Sequence, residues 1–443
     1  MNIQISEHFT MKKLIKFCLP SIIMMVFTSV YGVVDGLFVS NYAGETAFSA
    51  VNFIMPLLMA LGCFGFMFGT GGSAIVAKTM GEGKKSLADE YFTMITVTNI
   101  ITGVILAVLG LVFLRPVAVL MGASGDMLDY CIKYGRIQIF TIPFFMVQNV
   151  FQSFFVTAGK PNIGLGISVL AGVTNMIFDF LFIGVFGWGV QGASFATSLS
   201  QIVGAIIPIF YFARKNSSLL HFVKFRFDRH IIFRTCTNGS SELMTNLSMS
   251  FVNMLYNGQL MKYAGQDGVA TYGVIMYVSF IFVSIFIGFS IGSAPVVSYN
   301  YGAKNSDELK NIFRKSISVI SFTAVAMMLL SQVIANPLAE IFVGYKPQLF
   351  DLTIHAFRIY AISYLISGFN IYGSSFFTAL NNGFVSAVIS FLRTLVFPII
   401  MVIFIPMIFG FNGIWVSIIF SELLALSVTL FFVFRNKSKY GYM

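Results

Sequence analysis

Charge is scarce in this sequence. Of 443 residues only 10% are charged, too few to coat a soluble globular domain. Cysteine is scarce as well. Cys18, Cys63, Cys131 and Cys236 are scattered without a CxxC pair or metal-ligand spacing, which argues against a disulfide framework or structural metal site and leaves small apolar fillers. The four histidines, His8, His221, His230 and His355, read as lying in loops or at helix ends. Proton handling in an apolar interior would therefore rest on carboxylates. The N-terminus puts lysines before an apolar run but has no small-residue cleavage site, so an uncleaved first span is expected. GTGGSAIVA (69–77) lacks the Lys-Ser/Thr of a phosphate loop, and close helix packing is its expected use.

What fills the chain instead is apolar: 57% hydrophobic residues, with 51 Phe and 39 Gly. Runs of more than 20 apolar residues recur from end to end, each long enough as a helix to cross a hydrocarbon core about 30 Å thick. Polar breaks divide them into twelve spans, at 14–40, 48–77, 92–114, 132–157, 163–185, 190–213, 235–261, 269–298, 315–343, 353–380, 384–408 and 412–434. The expected fold is an all-α membrane protein with both termini on one side. A net charge of +10 could suggest nucleic acid, but its distribution reads as membrane orientation. Loops and tails on the terminal side hold 20 Lys and Arg, those opposite hold 6, and Arg393 lies inside a span. By the positive-inside rule both termini are expected in the cytoplasm, with the chain in the cytoplasmic membrane and no nucleic-acid partner.

The chain repeats itself. Shifted by 221 residues, AGETAFSAVNFIM (43–55) falls on AGQDGVATYGVIM (264–276). At the same shift Gly71 meets Gly292, Gly81 meets Gly302, Thr157-Ala158 meets Thr378-Ala379, and Gly192 meets Gly413. One offset over some 150 residues marks a duplicated unit of six spans. An even number of spans gives both units the same orientation, a parallel-repeat transporter plan with a cleft between two bundles. The expected division is an N-terminal lobe (1–215), a basic, solvated cytoplasmic linker (216–230) and a C-terminal lobe (231–443).

Asp35, Asp179, Glu242, Glu422 and Arg393 fall well inside spans. An unpaired Asp at mid-span costs about 2.5–3.5 kcal/mol on insertion scales, so it needs a partner, a cavity or a proton. Counting residues from the outer loops places Asp35, Asp179 and Thr197 roughly 12 to 14 Å below one surface. Asn175 lies one turn deeper than Asp179, and Asn149 near the middle of its span completes an oxygen-rich set. Such oxygens at one level suit a hard cation such as Na⁺, held by Asp35, Asn175, Asp179 and Thr197; two adjacent acids also resist joint ionisation, so a shared proton is the alternative.

The repeat tests this reading. Asp35 meets Tyr256, Asp179 meets Ile400 and Asn175 meets Val396, although Asn149 still meets Asn370. Carboxylates that only supported the fold would be needed in both halves, so ion coupling is assigned to the first. Arg393 and Glu422, at similar depth on consecutive spans, are expected to form a structural ion pair. Glu242, with Asn370 and Tyr256, is a candidate for contact with substrate or a second cation. Pro20 is placed to bend the first helix below Asp35.

These residues resemble the multidrug and toxic compound extrusion (MATE) family along essentially the whole chain. The most specific pieces are IGSAPVVSYNYGAK (291–304) and its counterpart GSAIVAKTMGEGK (72–84). The order Pro20, Asp35, Asn149, Asn175, Asp179, Thr197 is similar to the prokaryotic branch with a cation site in its N-terminal lobe. The resemblance implies a V-shaped pair of lobes, a bend at Pro20, and efflux of organic cations driven by Na⁺ or H⁺, with no cofactor besides the coupling ion. A monomer in contact with membrane lipid is expected, and not an enzyme. A lipid-linked oligosaccharide flippase of the same superfamily is the alternative; its cavity would need Arg or Lys for a pyrophosphate, and only Arg393 is available. A membrane-embedded prenyl transferase would need an Asp-x-x-x-Asp type motif, which is absent.

Overall fold

In hydrocarbon every backbone N–H and C=O must be satisfied within the chain, and apolar runs of this length meet that demand as helices. The computed structural model describes residues 4–42, 45–344 and 346–443, and among these there is no strand. Ala43 and Gly44, used above in matching the repeats, lie outside the described residues.

The first half begins with α1 (Met11–Tyr42), which continues through Pro20 as one helix. α2 (Glu45–Gly62) and α3 (Phe64–Gly81) share the second span, and α4 (Lys85–Leu120) is the third. α5 (Gly125–Phe140) and α6 (Ile142–Thr157) meet at a 53° bend. Pro143, in the first turn of α6, has no N–H to carry the α5 ladder onward. α7 (Pro161–Asp179) widens into a π-helical segment, Phe180–Val185, before α8 (Gly189–Ala213).

The second half begins with α9, 74 residues from Arg229 to Gly302. Fully helical, it would be about 110 Å long, more than three hydrocarbon cores. Gly265, at φ 61° and ψ −147°, breaks it in a conformation that L side chains avoid. The run folds back there, since Gly239 near its start and Tyr299 near its end both abut α3. α10 (Ser306–Val343), α11 (Pro347–Ala361), α12 (Tyr364–Ala379) and α13 (Gly383–Phe391) follow. A second π-helical segment, Leu392–Val396, leads into α14 (Phe397–Phe409) and then α15 (Asn412–Tyr440). By length and composition ten helical stretches among the described residues could cross a membrane, and the bent pair makes eleven. Counting α9 twice restores the twelve expected spans.

The halves meet on the side that carries both termini, through contacts that the repeat relates. Gly81 lies against the Tyr299 carbonyl, and Gly302 against the Lys78 carbonyl. Since Gly81 and Lys78 are the 221-residue counterparts of Gly302 and Tyr299, this is one contact made twice. Likewise Gly71 abuts Gly239, and Gly292 abuts Cys18. Close packing is thus the use of the glycine-rich GTGGSAIVA. A second fastener reaches from the N-terminal segment to α10. The Phe9 N–H donates to Glu308 Oε1 at 2.9 Å, His8 Nδ1 lies 2.6 Å from Glu308 Oε2, and Lys315 Nζ donates to the Phe9 carbonyl at 2.6 Å.

Two expectations need correction. The tenth span begins at Pro347 rather than 353, which puts His355 two turns inside α11, on its exposed side, 2.9 Å from Asn412 Oδ1. Nor is the linker simply solvated. Its His221 and Val223 N–H groups donate to Asp89 Oδ1 (3.0 Å) and Thr93 Oγ1 (3.1 Å) of α4, Phe222 stacks on Phe92 at 4.9 Å, and Leu220 is buried.

Candidate cation site and transport cavity

The two acids expected at one level do meet. Asp35 of α1 and Asp179, the last residue of α7, are in side-chain contact. Two carboxyls hydrogen-bond only when one carries a proton; with both ionised, Asp35 Oδ1 and both Asp179 oxygens are buried without a donor. Asn175 Nδ2 reaches Thr197 Oγ1 of α8 at 3.4 Å. That turns Asn175 Oδ1 into a fourth buried acceptor without a donor. Buried polar atoms are rarely left this way. Among the described residues no Lys, Arg or His forms an ion pair with either acid. Two carboxylates, an amide oxygen and a hydroxyl form a hard-oxygen set, suited to Na⁺ or a shared proton.

The widened turn that starts at Phe180 places Asp179 at a change of helical pitch. Such single-turn π segments recur at functional sites because they re-aim neighbouring side chains. Sequence reasoning missed this, and it also missed Tyr134. Buried on α5, Tyr134 is within electrostatic reach of both acids. Polar fasteners hold α5 against α8 here: Ser194 Oγ donates to the Tyr134 carbonyl at 3.0 Å, Gln138 Nε2 to the Ser194 carbonyl at 3.0 Å, and the Thr141 and Ser198 hydroxyls are 3.1 Å apart. Asn149 stands apart. It is buried on α6, no hydrogen bond joins it to the acid pair or to Asn175, and its Nδ2 has no acceptor.

In the second half the intramembrane Glu422 is closely bonded. Glu422 of α15 receives Arg393 Nη2 at 2.9 Å and Nε at 3.1 Å, and Asn370 Nδ2 at 2.7 Å. Thr429 Oγ1 donates to Asn370 Oδ1 at 2.9 Å. The expected ion pair is therefore present. Asn370, however, is fully buried and committed to Glu422, so it is not open to substrate. Tyr256 is closed off too: it stacks on Tyr272 at 5.3 Å, and its hydroxyl lies 2.9 Å from Ser417 Oγ.

Glu242 of α9 does line a cavity. It is walled by Thr70, Ser73 and Ser153 from the first half and by Ser290, Ser375 and Thr378 from the second. No Lys or Arg is in this lining. Among the described residues the Glu242 carboxylate forms no ion pair or hydrogen bond, although Arg393 lies within electrostatic reach, and a positively charged guest would complement it.

A family model, MatE, matches this chain twice, over residues 20–181 and 243–404. The chain belongs to the MATE family. The double match coincides with the internal repeat, and MATE membership makes this a multi-pass membrane protein built as two lobes in a V. The multidrug export protein MepA of Staphylococcus haemolyticus (strain JCSC1435) is 24% identical over 437 residues, 98% of this chain and 95% of the relative. A crystal structure of MATE in complex with MaL6 superposes with a TM-score of 0.93 at 22% identity, covering 98% of both chains. The outward-facing conformation of a multidrug resistance MATE family transporter of the MOP superfamily gives the same score, identity and coverage.

Proposed function

We propose that this chain is a cation-coupled antiporter that exports organic cations by alternating access. One observation carries the reading: with both acids ionised, the buried acceptors of Asp35, Asp179 and Asn175 have no donor among the described residues. A site that lacks donors and is rich in oxygen is completed by a cation. The relatives named as multidrug export proteins support export as the direction of transport.

In this reading the protein is a monomer in the cytoplasmic membrane with both termini in the cytoplasm, and lobes 1–215 and 231–443 are joined by 216–230. The outward-facing state releases substrate as Asp35 and Asp179 take up Na⁺ or H⁺; the lobes then rock, the glycine contacts part, and the cation leaves inward. The Glu242 cavity receives the organic cation. A cation entering gains about 2.3 kcal/mol per 100 mV, but a monovalent substrate leaving in exchange gives this back. The concentration gradient of the coupling ion is then the drive. A lipid flippase reading is less well supported, because the cavity lining offers no base for a pyrophosphate and Arg393 is held by Glu422.

The test is reconstitution in vesicles with a Na⁺ gradient and a pH gradient imposed separately and a fluorescent cation as reporter. One gradient is expected to drive efflux, and Asp35→Asn and Asp179→Asn each to reduce it to the level of empty vesicles at normal protein yield. Undiminished efflux by both variants would remove the assignment.

A further inference from the structure

The two halves repeat one unit, yet the carboxylates of the Asp35 and Asp179 pair keep acceptors without a donor among the described residues, whereas Glu422 is bonded to Arg393 and Asn370. The repeat identifies what differs. At the 221 shift Asn370 is the counterpart of Asn149, and Glu422 of Gln201. Both halves also place a charged residue at a π-helical segment of the same span. In the first half Asp179 directly precedes that segment; in the second Arg393 lies within it. Thus the first half presents carboxylates without a resident cation, and the second presents a carboxylate with a cation fixed to the chain.

We infer that the Arg393 guanidinium is a tethered cation, occupying the acceptor site that Glu422 offers in the second lobe and excluding soluble ions from it. Glu422 is nearly buried, and all its contacts are donors: Arg393 Nη2 and Nε, and Asn370 Nδ2. Asn370 is oriented in turn by Thr429. With its charge neutralised and its oxygens bonded, the Glu422 cluster has no unfilled place for a soluble ion. The exchanged cation then passes by the acid pair of the first lobe and not by this cluster. That consequence rests on the reading of Asp35 and Asp179 as the coupling site, whereas the tethered cation itself does not.

The same geometry predicts a latent site. Removal of the guanidinium leaves Glu422 facing a vacated space in which a soluble guanidinium ion can take the same bonds. In purified full-length Arg393→Ala the thermal midpoint is expected to fall by about 5 °C or more, as for a broken buried pair. Millimolar guanidinium chloride should restore most of that loss, relative to choline chloride at equal ionic strength, while leaving the wild type unchanged. In Arg393→Ala/Glu422→Gln the restoration should disappear. A midpoint of Arg393→Ala that guanidinium does not raise, or raises equally in the double variant, overturns the inference.

Should Arg393→Ala fail to accumulate, Arg393→Met/Glu422→Gln removes both charges at once. Ion-driven efflux retained by that pair supports a merely neutralising Arg393, and lost efflux from folded protein overturns it. The thermal readout is independent of transport. Failure here therefore stays distinct from failure of the Asp35 and Asp179 assignment, which rests on efflux.

Discussion

At the scale of single residues, the decisive property is the balance of donors and acceptors. A carboxylate kept in an apolar interior must recover its lost hydration. Glu422 recovers it from Arg393 and Asn370, whereas Asp179 in its ionised form has no donor among the described residues. Tyr134 is a further contributor, being buried within electrostatic reach of both acids. Tyr134→Phe keeps the ring and removes the hydroxyl. Because the hydroxyl dipole lies within electrostatic reach of the pair, its loss is expected to raise the cation concentration for half-maximal efflux several-fold. An unchanged half-saturation would make Tyr134 a packing residue. The acid pair could be read from the sequence because helical rise is fixed, so counting from loop glycines gives depth. Tyr134 could not, since a tyrosine within an apolar span has the same pattern whether it packs or binds. For Asn370 and Tyr256 a related limit holds: which way a helix face turns is set by tertiary packing, and in this structure both turn into the core of the second half.

At the scale of helices, two features organise the molecule: the π-helical segments and the glycine contacts. Apolar runs and their breaks made the twelve spans legible, because membrane thickness sets their length. The π segments Phe180–Val185 and Leu392–Val396 left no mark in residue type. The glycines were legible as close packing, but the partners of Gly81 and Gly302 emerged only when the repeats were seen facing each other. A side chain at either position must displace the backbone carbonyl of the other half. Gly81→Leu and Gly302→Leu are therefore expected to hold the halves apart on the side of the termini. The native Cys18, buried against Gly292, reports this once the other three cysteines are replaced by alanine. Its reaction with a water-soluble thiol reagent should accelerate several-fold, and driven efflux should fall. Unaltered labelling together with unaltered efflux would show that this contact does not gate the molecule.

At the scale of the whole molecule, a duplicated bundle has become two unlike lobes. One carries the buried acid pair, and the other an internal ion pair. Between them lies a cavity with Glu242 and hydroxyls from both halves. In the proposed function cation and substrate meet different residues, so their antagonism would run through the lobe arrangement and by linkage be reciprocal. The most direct measurement is cation release. Substrate is added to purified, cation-loaded protein, and the Na⁺ or H⁺ set free is read with an ion-selective electrode. The wild type is expected to release about one cation per protein molecule at saturation, in keeping with reciprocal linkage, and Asp35→Asn and Asp179→Asn none. Release from both variants equal to that of the wild type would contradict the assignment of the exchanged cation to this acid pair.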